Sequence, residues 1–136
     1  MQFNSLVPEL MVTDIDKSRE FYHVLGFTVR YERPEIKFAF IELEGNQIMI
    51  QQASHQSDCW DTGELVYPFG RGINLEMEVK NVDELYAKVV QNKIPLFRDI
   101  KVSQYRQDEK VWKSKEFLVQ DPDGYLLRFC SSSCEE

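Results

Sequence analysis

The chain has 136 residues, the size of one domain, with 43% hydrophobic and 29% charged residues and no low-complexity tract. Its net charge of −7 argues against a nucleic-acid partner, and no apolar run approaches the roughly 18 residues that a membrane span needs. Glu9 and Asp14 fall where a signal peptide requires an apolar stretch, so the expectation is a cytoplasmic protein. Its three cysteines, Cys59, Cys130 and Cys134, are then free thiols with neither CxxC nor zinc spacing.

Residues 6–12 read as a strand and lead to Asp14-x-Asp16, whose side-chain oxygens can cap a helix. In that helix Ser18, Phe21, Tyr22 and Leu25 share one face, and Gly26 is a fitting stop. Strand-like runs follow at 27–32, 38–44 and 47–52, the last two joined by a Gly45-Asn46 turn. Residues 54–71 form a long connector, and its aromatics Trp60, Tyr67 and Phe69 suggest a flap that packs down.

The same order then returns. A strand at 73–79 precedes Asn81-x-Asp83, a helix with Val82, Leu85, Tyr86 and Val89 on one face, and strands at 95–102, 111–120 and 125–130. Asp121-Pro122-Asp123-Gly124 is the last turn, and the Ser-rich residues after Cys130 read as a frayed tail. The duplication is visible directly, since residues 9–16 align with residues 76–83 at constant spacing. The expectation is one α+β domain over 1–136, made of two βαβββ modules at about 1–53 and 72–130 with a connector at 54–71.

Strand alternation divides the side chains between two faces. Leu10, Val12, Ile48, Ile50, Leu75, Val79, Leu127 and Phe129 should pack under the helices. The opposite face should carry Glu9, Gln47, Met49, Gln51, Asn74, Glu76, Glu78 and Arg128, a wet, net-acidic surface that is costly to bury without a polar ligand or water. Phe38 and Phe40 share one strand face, with Trp60 in the connector and Trp112 opening the penultimate strand. Flat rings beside carboxylates suit a planar or cationic ligand.

Val12-Thr13-Asp14, Phe21-Tyr22, Leu25-Gly26-Phe27 and Asp121-Pro122-Asp123-Gly124, in this order and in a duplicated frame, resemble the glyoxalase/bleomycin-resistance (vicinal-oxygen-chelate) superfamily. The likeness runs over residues 7–129 and is nearest to the metal-free bleomycin-binding resistance proteins. Val7-Pro8, the helix start at 82–87, Trp112 and Lys115-Glu116-Phe117 carry that nearer likeness. The resemblance implies two βαβββ modules forming a cup-shaped sheet, a homodimer with clefts shared between subunits, and a ligand contact at Trp112.

Enzymes of the superfamily hold a divalent metal with four side chains, and the positions equivalent to those ligands are Val7, Met49, Asn74 and Arg128. Valine has no donor atom, methionine offers a soft thioether, asparagine is a weak oxygen ligand and arginine brings a repelling charge. His23, on the first helix, and His55, in the connector, do not repair the set. The resemblance therefore implies no cofactor.

The resulting expectation is a metal-free protein that sequesters a cationic or aromatic ligand such as bleomycin. Its contacts would be Glu9, Phe38, Phe40, Met49, Trp60, Asn74, Glu76, Trp112 and Arg128. Two other classes stand beside it. One is a superfamily enzyme with a metal-independent site, using Glu9 or Glu76 as general base and Arg128 to stabilise an oxyanion. The other is an interaction module that uses a sheet surface for a protein partner.

Overall fold

Both helices begin at a capping oxygen. Asp14 Oδ1 accepts the backbone N–H of Asp16 at 3.0 Å and of Lys17 at 3.3 Å, and Asn81 Oδ1 accepts that of Glu84 at 3.0 Å. The structure is a computed structural model that describes residues 2–54 and 60–135, with no account of the side chains of Cys134 and Glu135. Expectations for His55, Cys59 and the Cys134 thiol lie outside the described residues.

The chain divides into two compact units, Met1–Phe69 and Gly70–Glu136. The first holds β1 (Glu9–Val12), α1 (Ile15–Val24), β2 (Thr28–Arg33), β3 (Phe38–Leu43) and β4 (Asn46–Gln52). The second holds β5 (Asn74–Glu78), α2 (Val82–Gln91), β6 (Leu96–Gln107), β7 (Lys110–Gln120) and β8 (Leu126–Glu135). Each unit is a βαβββ module with one four-stranded sheet, in the order β1-β4-β3-β2 and β5-β8-β7-β6. The first strand of each runs parallel to the last, and the other pairings are antiparallel.

Each helix packs on one face of its sheet. In the first unit Leu10, Val12, Ala39, Ile41, Ile48 and Ile50 are buried, together with Ile15, Ser18 and Tyr22 of α1. In the second, Met77, Phe117, Val119, Leu127 and Phe129 are buried with Val82, Leu85 and Val89 of α2. The Tyr86 and Phe117 rings lie 5.5 Å apart, and Phe117 and Phe129 lie 5.6 Å apart. Leu75 is half-buried, so Met77 takes the central position on β5.

Apart from shifts at several strand ends, four features differ from the sequence reading. The β3–β4 turn is Glu44-Gly45, with φ of 48° and 84°, and Leu43 pairs with Asn46. A two-residue turn of this kind needs positive φ at both central residues, and Asn46 is held in the ladder. β6 continues to Gln107 through polar residues, because they pair with β7 as far as Lys110. The residues after Cys130 are no frayed tail. They extend β8 against Val111–Lys115, and the Ser131 hydroxyl donates to Val79 O at 2.7 Å while accepting the Val82 N–H at 3.1 Å. The connector does not pack down through Trp60 or Tyr67, which are 81% and 59% exposed.

Gly70 has φ of 68°, and a Cβ there would stand 2.6 Å from Cδ1 of the buried Tyr125. Gly72 has φ of 90° with nothing within 4 Å. Gly72→Ala should therefore cost about 1 kcal/mol for the left-handed backbone alone. Gly70→Ala should cost about 2–3 kcal/mol because the ring must also move. Urea unfolding of the two variants checks the order.

Candidate functional site

The strand register assigns side chains to the face of each sheet turned away from its helix. In the first unit Glu9 pairs with Met49, Met49 with Phe40, and Phe40 with Tyr31; one row along, Phe38 stands between Gln51 and Arg33. Tyr31 and Phe40 are stacked at 5.2 Å with 16° between their planes. The Arg33 guanidinium sits 5.1 Å from the centre of the Phe38 ring and 5.8 Å from that of Tyr31.

This face is not the wet surface expected. Phe38, Phe40, Gln47 and Gln51 are all at most 7% exposed. Part of the reason is the N-terminal segment. The Gln47 amide accepts the Asn4 N–H at 2.7 Å and donates to Gln2 O at 2.8 Å and to Glu42 Oε1 at 2.7 Å. Phe3 consequently meets Phe40 edge-on at 5.4 Å. Gln47 is thus an anchor for residues 2–4.

Glu9, half-buried beside Met49 on this face, has Oε1 buried and without a hydrogen-bond partner. Burial raises its pKa above the ordinary value of 4.5, and the Arg33 charge opposes the shift.

In the second unit the helix-free face carries a connected polar row. Arg128 NH2 lies 3.0 Å from Glu76 Oε2, and its NH1 lies 3.8 Å from Glu116 Oε2. The Tyr105 hydroxyl donates to Glu116 Oε1 at 2.6 Å. This bond to a carboxylate, with partial burial, raises the Tyr105 pKa. The Cys130 thiol donates to Glu76 Oε1 at 3.4 Å; burial first, then the Glu76 carboxylate, pushes its pKa up to about 11.

Trp112 belongs to the same face, opposite Tyr105 in register, and its indole N–H donates to Gln107 Oε1 at 2.9 Å. Asn74, on the edge strand β5, is exposed. Trp60 stands in the coil between β4 and β5 rather than on either sheet. Ser114 and Glu116, both on β7 and about 5% exposed, were missed by the sequence reading. Alternation from Trp112 could have found them, because residues 112, 114 and 116 share one face.

The set Val7, Met49, Asn74 and Arg128 does not fit the divalent metal that the superfamily's enzymes use. The Arg128 guanidinium is itself held by two carboxylates. Among the described residues, no group of three or more His, Cys, Asp or Glu side chains could hold a metal ion. His23 is exposed in the last turn of α1. It borders a groove of about 250 Å³ on the helix side of the first unit, with Arg19, Glu20 and Val29.

Comparison with known proteins places the chain. The model of the Glyoxalase/Bleomycin resistance protein/Dioxygenase superfamily matches residues 2–129, and the chain belongs to that superfamily. It is similar to a solved member from Vibrio splendidus 12B01, 32% identical over 92% of this chain and 95% of that one, with a TM-score of 0.43. A glyoxalase/bleomycin resistance protein/dioxygenase from Alicyclobacillus acidocaldarius is 22% identical over 94% and 90% of the two chains, with a TM-score of 0.63. An integron cassette protein from the mobile metagenome of V. cholerae is 18% identical over 96% and 97%, with a TM-score of 0.71. The last two share the fold. No curated protein matches the chain. Among the described residues, no helix is long and apolar enough to cross a membrane.

Two tests follow. A carboxyl group whose folded pKa is raised favours the folded state when protonated, so that contribution is lost as pH rises through the folded value. Glu9→Gln should therefore raise Tm at pH 7 and leave it nearly unchanged at pH 4, where both side chains are largely neutral. With Cys59 and Cys134 replaced by serine, Cys130 should resist a disulfide reagent at pH 8 until urea unfolds the protein.

Proposed function

We propose that this chain is a small-molecule-binding protein of the bleomycin-resistance type. It holds an aromatic or cationic ligand stoichiometrically on its helix-free sheet faces, with no metal and no bond-making step. Glu9, Phe38, Phe40 and Met49 contribute from the first unit. Asn74, Glu76, Trp112 and Arg128 contribute from the second, and Trp60 from the connector. Bleomycin is a ligand of that description, and resistance by sequestration in the cytoplasm would be the outcome. In this reading the protein acts as a homodimer with clefts shared between subunits.

One observation carries the reading. Among the described residues, five buried side-chain polar atoms have no hydrogen-bond partner, and four belong to helix-free faces: Glu9 Oε1, Ser114 Oγ, Glu116 Oε2 and Arg128 Nε. Each such atom costs about 1–3 kcal/mol when buried unpaired. A polar molecule bound there offsets that cost; the fifth atom, Ser18 Oγ, is buried on α1.

The second reading, a metal-independent enzyme, gains support from Glu9, whose raised pKa suits a general base. It loses support from Arg128, whose charge is engaged by Glu76 and Glu116 instead of facing a developing oxyanion.

Titration of chelator-treated protein with metal-free bleomycin, followed by tryptophan fluorescence, tests the proposal. The expected result is saturable quenching at one ligand per chain, with Kd of about 1–10 μM, and loss of most of it in Trp112→Ala. No response up to about 1 mM would remove bleomycin as the ligand.

A further inference from the structure

Three of the buried polar atoms without a hydrogen bond lie near one another on β7 and β8, and together they have a definite chemistry. Ser114 and Glu116 are alternate residues of β7, 4% and 5% exposed. Arg128 stands on β8 opposite Leu118, two residue pairs along from the Glu116–Cys130 pair and so on the same face. Glu116 Oε2 can only accept a hydrogen bond, Arg128 Nε can only donate one, and Ser114 Oγ can do either. Tyr105 fixes the carboxylate from its other oxygen, Oε1, at 2.6 Å.

Charge decides which ligand group suits this set. An ammonium placed on Glu116 Oε2 would meet the Arg128 guanidinium, whose NH1 is 3.8 Å from that oxygen. Lys101 is also the register partner of Glu116. A carboxylate placed on Arg128 Nε would meet Glu116 and Glu76. A neutral group that presents one acceptor beside one donor meets neither repulsion and pairs both atoms.

We propose that this part of the sheet is a subsite for a planar carboxamide, either a primary amide or a lactam edge. The ligand carbonyl accepts the Arg128 Nε–H, the ligand N–H donates to Glu116 Oε2, and Ser114 Oγ supplies a third contact. The ring attached to the amide lies against Trp112 and Tyr105, which face each other across β6 and β7. The inference rests on the binding reading above and narrows it from aromatic or cationic ligands to neutral amides at this position.

The test is an NMR titration of the full chain with three probes of one size: benzamide, benzylamine and benzoate. Benzamide should shift the backbone amides of Ser114, Glu116 and Arg128 with a Kd of about 1 mM. The two charged probes should bind there at least about tenfold more weakly. Glu116→Gln keeps an acceptor for Tyr105 but turns the other position into a donor, and it should weaken benzamide about tenfold. Should that variant misfold, Ser114→Ala should still weaken benzamide about threefold.

Benzylamine binding as well as benzamide at these residues would overturn the amide subsite while leaving a cation-binding protein intact. Benzamide binding that is indifferent to both substitutions would overturn it too. Silence from all three probes overturns the subsite, and the broader reading is then decided by the bleomycin titration.

Discussion

A ten-residue helix can cover one face of a four-stranded sheet, and each unit has one such helix. The second face must therefore satisfy its side chains by other means, and the units do so differently. The first turns to aromatic packing and to residues 2–4, which the Gln47 amide ties down at 2.7 and 2.8 Å. The second turns to charge, with Arg128 between Glu76 and Glu116. Duplication supplied one backbone plan, and the burden of the uncovered face made the two halves diverge.

Local rules of the chain were largely legible in the sequence. The capping oxygens of Asp14 and Asn81, the Gly26 stop and the alternation of Leu10, Val12, Ile48 and Ile50 all depend on near neighbours. The family pattern is built from these same local features, which is why it could be recognised. What the sequence did not disclose depends on distant partners. Phe3 on Phe40 and Gln2 on Gln47 join residues far apart in the chain. The serines at 131–133 look like a tail because their composition is polar, yet β7 pairs with them along the backbone. Glu116 was read as part of a motif and not as a site residue, because its significance arises only beside Arg128 and Tyr105.

Net charge was a poor guide to the local chemistry. The chain is acidic overall, but the polar row of the second unit mixes both signs within 3.0–3.8 Å. In the first unit, partial burial of Glu9 favours the neutral form of its carboxyl group. A carboxyl group partly withdrawn from water in this way lowers stability when it ionises.

β6 has a further significance at the edge of its sheet. It is 12 residues long, outermost in the order β5-β8-β7-β6, with Phe97 and Val102 at 50% and 60% exposure. A long exposed edge of this kind invites a strand from another chain to add on. Two irregularities interrupt its ladder, between Leu96 and Arg98 and between Arg98 and Lys101, and the Arg98 guanidinium lies 5.8 Å over the Phe97 ring. Arg98, Lys101 and Arg106 place charged side chains along the strand, a feature that disfavours pairing of an exposed edge with another chain. The long hairpin that carries Tyr105 and Trp112 can thus extend past its helix without becoming a template for aggregation.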